Sequence, residues 1–276
     1  MLAPAPEQST KHKCKMMLPT LLKTIGAYKF YEKWLEDTVT SAEMPEHVGV
    51  ILDGNRRWGL ALSGDSLKGH RYGAKIGENF LEWCLDLGIK TVTLYVFSTE
   101  NFLRPQAEVA TILGIIEEET RKLVTDPRIH NNQVHVKALG RLEMLPESLR
   151  AALADAERVT VHYDKRYLNI AVAYGGRAEI VDAAKRIIDE VQSGTLVADA
   201  VTEDVFRKYL YTSHLPNPYP ELIIRTSGEE RLSGFLIWQA AYSEFIFMDV
   251  YWPEFRRIDL LRAVRTYQRR KRRFGK

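Results

Sequence analysis

The chain has 276 residues, of which 45% are apolar and 27% charged, with a formal net charge of +3. That length suits one large or two small domains around a sizeable core, and so small a net charge argues against a uniformly basic nucleic-acid-binding surface. No run approaches the ~20 apolar residues needed to cross a bilayer. Two widely separated cysteines, Cys14 and Cys84, argue against a disulfide framework and suit a reducing cytoplasm.

Met1–Lys15 is polar and proline-bearing and lacks the apolar block of a signal peptide, so residues 1–17 read as a disordered tail. A helix is expected over 18–40. Leu18, Leu21, Leu22, Ile25, Tyr28 and Leu35 recur at roughly helical spacing, a stripe suited to packing on the body or lying on a membrane surface. From about residue 45 onward, strands and helices alternate. Val48–Leu52 is a strand, followed by a flexible basic turn. Tyr72–Leu87 is a helix with Ile76, Phe80, Trp83 and Leu87 on one face, closed by Gly88. Strand Thr91–Phe97, helix Ala107–Val124 and strand Val134–Leu139 follow. Pro146 opens a helix to about His162. Strand Leu168–Ala173, helix Ala178–Gln192 and a short helix Thr202–Tyr211 come next. Leu215–Pro220 is a proline-rich loop into strand Leu222–Arg225. Strand Phe245–Met248 and helix Ile258–Arg273 close the chain. This order predicts an α/β fold: a single catalytic domain over 45–276, with an about six-stranded, mostly parallel sheet flanked by helices.

The polar clusters lie mostly just past strand ends, where open α/β sheets bind ligands. His47–Trp58, HVGVILDGNRRW, delivers Asp53 from an apolar strand into Gly54, Asn55, Arg56 and Arg57. Such a turn suits phosphate, because turn or helix-start amides and arginine forks bind phosphate oxygens; a charged surface turn is the plain alternative. Phe97–Arg104, FSTENFLR, carries two hydroxyls, an acid, an amide and an arginine, although Ser98 or Thr99 would also serve as a helix cap. Arg225–Ser233, RTSGEERLS, offers Arg225 and Arg231 to one polyanion, with Ser233 as a hydroxyl donor. Glu244 enters an otherwise apolar strand as an edge residue, a charge partner or a metal ligand. His70 reads as a helix-start, packing or catalytic histidine, and Tyr174-Gly175-Gly176-Arg177 as a structural turn. The basic run Gln268–Lys276 reads as a solvated helix end; no nucleic-acid-binding signature stands beside it.

No GxGxxG follows a strand, and GxxxxGK[ST], CxxC pairs, HExxH and GxSxG are all missing. Asn55 occupies the place where many phosphohydrolases carry a second acid, which weakens that reading. The remaining arginines, amides and hydroxyls, with Asp53 and Glu244 as candidate Mg²⁺ ligands, are equipment for diphosphates.

The blocks DGNRRW, Gly69-His70, FSTENFLR, YGGR, IRTSGEERLSGFLIWQ and the terminal RRFG, in this order from about His47 to Gly275, resemble those of the cis-prenyltransferases, the undecaprenyl/polyprenyl diphosphate synthase family. The resemblance implies a parallel-sheet fold, not the all-α fold of trans-prenyltransferases, whose DDxxD motif is missing here. It implies Mg²⁺-dependent elongation of an allylic diphosphate primer by isopentenyl diphosphate, each step making a Z double bond, in a cytoplasmic homodimer.

Carried over by position, Asp53 would be catalytic and hold Mg²⁺ together with Glu244. Gly54, Asn55, Arg56, Arg57 and Trp58 would line the allylic diphosphate turn, assisted by His70 and Arg104. Ser98, Thr99, Glu100, Asn101 and Phe102 would border the reacting carbons, Asn101 at the position assigned to proton removal. Arg225, Arg231, Leu232 and Ser233 would bind isopentenyl diphosphate. Arg273 and Gly275 would reach a diphosphate at the partner's site. Val96 and helix Ala107–Val124 would line the tail's tunnel. Two departures stand out. Ser66 replaces an arginine of many relatives at the primer site, which would either weaken the phosphate grip or be compensated by Lys68 or Arg56, and Arg141 follows Gly140 where many bacterial relatives have aspartate. Some members of this superfamily are non-catalytic partners that lose the aspartate and the arginines; this chain keeps both.

Overall fold

The structure is a computed structural model in which residues 26–271 are described. The expected tail, Leu18–Ile25 of the expected first helix, and Arg273 and Gly275 lie outside these residues. The described chain runs α1 (Ala27–Thr40), β1 (His47–Ile51), α2 (Asn55–Ser63), α3 (Ser66–Asp86), β2 (Thr91–Ser98), α4 (Gln106–Leu123), α5 (Pro127–Asn131), β3 (Val134–Leu139), α6 (Glu147–Thr160), β4 (Arg166–Tyr174), α7 (Gly176–Gln192), α8 (Glu203–Arg207), β5 (Leu222–Arg225), β6 (Glu244–Phe247) and α9 (Arg257–Lys271). A single 3₁₀ turn, Thr99–Leu103, follows β2.

The six strands form one all-parallel sheet in the order β3-β4-β2-β1-β5-β6. Parallel strands covered on both faces are apolar nearly throughout, and β1, HVGVI, is buried at every position. Its alternation divides the core. Val48 and Val50 join a large cluster with Phe80, Phe97, Leu149, Trp252 and Leu261. Ile51 joins a smaller one with Tyr95, Tyr174, Ile223 and Phe235 on the other face. Because β1 pairs with β2 on one side and β5 on the other, the winding reverses beside β1. That reversal leaves a crevice at the carboxyl ends of β1, β2 and β5.

Two local differences from the sequence expectation bear on the site. The turn after β1 is the first turn of a helix, α2. In addition, α3 begins six residues earlier than its apolar stripe suggests. Asp65 caps α3, its side chain accepting from Leu67 N at 2.9 Å. The early turns carry Gly69 and Gly73 where a stripe would show side chains: the α2 backbone packs directly against Gly69, and the Asn55 side chain and the Trp252 ring against Gly73. A methyl on Gly69 would lie 2.8 Å from the Asn55 carbonyl carbon and 3.1 Å from Gly59 N; one on Gly59 would lie 2.8 Å from Gly69 N. These glycines bring two helix backbones into contact, which puts His70 at the mouth of the crevice.

Candidate active site

Asp53 stands two residues beyond β1 and Arg225 ends β5. Thr226, fully buried, ties the two loops: its Oγ1 accepts from Asp53 N at 3.0 Å and donates to Asp53 O at 2.7 Å. Arg225 is 4% exposed. Its Nη2 donates to Asp53 Oδ2 at 2.8 Å, while Nη1 donates to Ser233 Oγ at 2.8 Å and to the Arg231 carbonyl. Arg57 reaches over from α2, 3.6 Å from Asp53 Oδ1, donating to Ser227 Oγ at 2.6 Å and to Glu229 Oε1 at 3.1 Å. Burial alone would raise the Asp53 carboxyl, but Arg225, Ser227 and Arg57 outweigh it and hold the group below the ordinary aspartate value. Asp53 is therefore an anion at neutral pH.

A second group gathers on Glu108, a buried acid in the first turn of α4. Its Oε1 lies 3.1 Å from Arg104 Nη1 and 3.8 Å from His70 Nε2; its Oε2 lies 3.7 Å from Arg56 Nε. Desolvation, with Arg104 adding repulsion, lowers His70 to about 4. The ring is thus neutral at physiological pH and offers a hydrogen bond rather than a charge. Its Nε2 is buried with no hydrogen-bond partner, as is Asn55 Oδ1. Buried polar atoms of this kind call for an explanation, and a bound ligand supplies one.

Helix α2 begins between these groups. Gly54 precedes it with φ +102°, a conformation that favours glycine, and no side chain caps the helix. The open amides of a helix start attract anions.

The polar cleft is lined by twelve of the residues singled out from the sequence: Asp53, Gly54, Asn55, Arg56, Arg57, His70, Ser98, Asn101, Arg104, Arg225, Arg231 and Ser233. It adjoins an apolar chamber between α3, α4 and the sheet, walled by Leu81, Leu94, Ile115, Ile116, Leu123, Leu168 and Ile170 among others. Leu52, Asn55, His70, Val96 and Ile112 line both spaces.

Several expected site residues are not in this lining. Trp58 turns to Glu254, donating from Nε1 at 3.2 Å, and packs on Tyr72. Ser66 opens α3 just over one turn before His70. Thr99 and Glu100 lie in the 3₁₀ turn. Phe102 meets Phe97 edge-on at 4.9 Å, and Leu232 packs on the smaller core cluster. Asn101 is in the cleft, but its Oδ1 accepts from Ser98 N at 3.0 Å in a capping box, so its carbonyl oxygen is already engaged.

Within the chain the structure does not bring Asp53 and Glu244 together. Glu244 opens β6 in register with Leu222, whereas Asp53 lies beyond the other end of the sheet, where Ile51 is level with Arg225. Its carboxylate instead accepts from Arg270 Nη1 at 3.0 Å. Glu244 therefore has a charge partner in Arg270, one of the readings its place in an apolar strand offered.

Sequence reasoning passed over Glu108, Thr226, Ser227 and Glu229. The last three lie inside the RTSGEERLS block, where the arginines drew the attention. Glu108 had one local signal, its i,i+4 spacing from Arg104.

A sequence profile for the family described as undecaprenyl diphosphate synthase matches residues 51–275. The chain belongs to this family. It is 55% identical over 249 residues to the tritrans,polycis-undecaprenyl-diphosphate synthase (geranylgeranyl-diphosphate specific) of Methanopyrus kandleri, covering 90% of this chain and 91% of that one. It is 50% identical over 253 residues to an isoprenyl transferase of Thermus thermophilus, covering 90% and 95%. Among solved structures, lavandulyl diphosphate synthase from Lavandula x intermedia, in complex with dimethylallyl diphosphate, superposes with a TM-score of 0.77 at 34% identity, covering 82% of this chain and 95% of that one. The protein is thus a prenyltransferase with the cis-prenyltransferase fold expected from its motifs, and its relatives are prenyl diphosphate synthases.

Proposed function

We propose that this chain lengthens an allylic prenyl diphosphate by successive Mg²⁺-dependent cis-condensations with isopentenyl diphosphate, giving a polyprenyl diphosphate for a lipid carrier or polyprenyl lipid. The observation that carries this reading is the shared wall of cleft and chamber, Leu52, Asn55, His70, Val96 and Ile112. A diphosphate suits the arginines and a hydrocarbon tail suits the chamber. The bond joining them would then lie at the junction.

In this reading the α2 amides, Arg56, Arg104 and His70 hold the primer's diphosphate, and Arg225, Arg231 and Ser233 that of isopentenyl diphosphate. Asp53 together with substrate phosphate oxygens would hold Mg²⁺, which takes one or two carboxylates and completes its shell with phosphates and water. The donor set fits: Asp53 is anionic, and among the described residues no cluster of three or more His, Cys, Asp or Glu could hold the ion unaided. When bound, the ion supplies neutralisation of phosphate charge. The arginines stabilise the negative charge that develops on the departing diphosphate as the allylic C–O bond breaks. The isopentenyl double bond attacks the allylic carbon, and a proton leaves C2. Asn101, its carbonyl oxygen engaged by Ser98, orients the reactants with its amide hydrogens while a phosphate oxygen accepts the proton. Each buried CH₂ of the tail contributes about 0.8 kcal/mol in the chamber. The proposal includes a homodimer in which Arg273 and Gly275 complete a diphosphate site of the neighbouring copy.

The test is incorporation of labelled isopentenyl diphosphate by the purified chain, with dimethylallyl, geranyl, farnesyl and geranylgeranyl diphosphate as primers and mass analysis of the products. The M. kandleri relative's name puts the geranylgeranyl primer first in line. Asp53→Ala is expected to abolish turnover; near-normal turnover of that variant with Mg²⁺ rejects the assignment, and absence of any product from the wild-type chain favours a non-catalytic partner subunit.

A further inference from the structure

We infer that Tyr95 is a positioning residue for the isopentenyl diphosphate side of the cleft, its hydroxyl holding the loop that carries Arg231 and Ser233. The inference deepens the proposed reaction and rests on it. Tyr95 stands in β2 level with Ile51 of β1, which is itself level with Arg225 of β5, so the three form one row across the sheet. Strand alternation puts Leu94 and Val96 in the chamber wall and turns Tyr95 to the opposite face, where it joins Ile51, Tyr174 and Phe235. There the Phe235 ring stacks on it, centroids 4.9 Å apart at 14°, and the Tyr174 ring meets it edge-on at 5.7 Å. Buried and clamped between these rings, Tyr95 donates its hydroxyl to two main-chain carbonyls, Ser233 O at 3.2 Å and Tyr174 O at 3.3 Å.

The loop needs such an anchor. Ser233 has φ +48° and Leu236 φ +44°, a left-handed conformation that persists in non-glycine residues only where the surroundings impose it. Arg225 grips Ser233 Oγ and the Arg231 carbonyl from the front, but its guanidinium also faces the cleft and would share that grip with a bound anion. The anchors that owe nothing to a ligand lie behind the loop. Tyr95 holds Ser233 O, Gly176 N donates to Gly234 O at 2.8 Å, and Phe235 and Leu236 are fully buried. The hydroxyl does not serve as a base. Burial, with Glu100 adding repulsion, pushes the phenol well above the usual tyrosine value despite the opposing pull of Ser98 and Arg225. It therefore keeps its proton and remains a donor to the two carbonyls. One strand thus serves both reactants: Val96 lines the cleft and the chamber, while Tyr95 beside it fixes the loop that would present isopentenyl diphosphate to their junction.

The test is Tyr95→Phe in the full chain, which removes the hydroxyl and keeps the ring stack, followed by backbone hydrogen exchange and by steady-state kinetics with each substrate varied separately. Exchange is expected to quicken in peptides covering residues 231–236 and to stay unchanged over residues 54–58. KM for isopentenyl diphosphate is expected to rise about 3- to 10-fold, the range that one neutral hydrogen bond supplies, with kcat and the primer's KM near wild type. Tyr167→Phe is the control: its hydroxyl donates to Asp164 O at 3.2 Å, level with Thr91 at the start of β2, and its loss is expected to alter neither the kinetics nor the exchange over 231–236. Unchanged exchange over 231–236 in Tyr95→Phe removes the anchor and overturns the inference. An equal rise in both KM values overturns it too, by making Tyr95 a general support of the fold, and a fall in kcat alone overturns it by giving the hydroxyl a direct part in the chemistry. Exchange is read without turnover, so quickened exchange beside a wild-type chain that makes no product upholds the anchor and overturns the proposed reaction instead.

Discussion

Gly69→Ala tests whether backbone contact between α2 and α3 sets the primer site. A methyl at this position would sit 2.8 Å from the Asn55 carbonyl carbon, with the oxygen closer still. Carbon atoms pack at about 3.5–4.0 Å, so the helices must part by about 1 Å. The obstacle is backbone, which no rotamer change relieves. Overpacking of this kind costs about 1–3 kcal/mol, offset in part by the ~1 kcal/mol that alanine gains over glycine within a helix. The functional effect is larger, because α2 carries Asn55, Arg56 and Arg57 in its first turn. A misplacement of about 1 Å costs roughly 100-fold in rate. The assay is steady-state kinetics with primer and isopentenyl diphosphate varied separately, beside a thermal melt. Expected is a fall of about 100-fold in kcat/KM for the primer, with KM for isopentenyl diphosphate little changed, since Arg225 ends β5 and Ser233 belongs to the loop beyond it, neither on α2. Gly114→Ala in α4 is the control. A methyl there meets nothing within 4 Å, so it is expected to stabilise by about 0.5–1 kcal/mol and leave the kinetics alone. A folded Gly69→Ala enzyme with wild-type primer kinetics refutes the reasoning.

Gly77 lines the chamber and faces open space; Gly77→Leu is expected to shorten the product by one or more five-carbon units, and an unchanged product mass distribution means that the tail runs elsewhere. Glu108→Gln loosens Arg104, Arg56 and His70 together; with charge-assisted bonds worth about 1.5–3 kcal/mol, a 10- to 100-fold loss in kcat/KM for the primer is expected, and an equal loss for isopentenyl diphosphate contradicts the separation of the two diphosphate sites. Burial lowers His47 to about 3 and His70 and His214 to about 4. Folded values below the unfolded 6.5 mean that the unfolded chain binds more protons in between. Stability is therefore fully present above pH ~6.5 and declines as pH falls toward 4, by about 1.4 kcal/mol per pH unit for each histidine. Urea unfolding at a series of pH values checks this, and His214→Gln should flatten the slope; an unaltered slope removes that histidine from the account.

Much of this architecture was legible because buried parallel strands are written as apolar runs. Val134–Leu139 and Leu222–Arg225 carry the same limits in sequence and structure, and the polar blocks after β1, β2 and β5 did converge on one cleft. Position along a strand was harder to read. Glu244 entered the expectation as a partner of Asp53, yet parallel register sends it to the far end of the sheet. Helix α2 was also hidden. Its NRRWGLALS sequence has an uncapped start and glycine at its packing position, so neither a cap nor an apolar stripe announces it. Glu108 was obscured for another reason: a carboxylate that organises cations looks, in sequence, like any acid on a helix surface.

The acids in this cleft resolve an apparent contradiction. The cleft proposed to take two diphosphates contains five arginines, Arg56, Arg57, Arg104, Arg225 and Arg231, but also Asp53, Glu108 and Glu229. Every one of those arginines has one of the three acids within ion-pair distance. Without such partners, a buried guanidinium such as Arg225 would carry an uncompensated desolvation cost of several kcal/mol, and the exposed ones would wander. The acids therefore keep the cations in place before any substrate arrives, which is the preorganisation that electrostatic catalysis requires. Five positive charges against three negative leave a net charge of +2 for incoming phosphates. Binding then becomes an exchange of partners rather than a capture of free charges. In the proposed reaction Arg225 would turn part of its fork from Asp53 toward phosphate, and Asp53, still an anion, would be released for a cation that arrives with the substrate. The same carboxylate would thus serve the empty site as a counter-ion and the loaded site as a ligand.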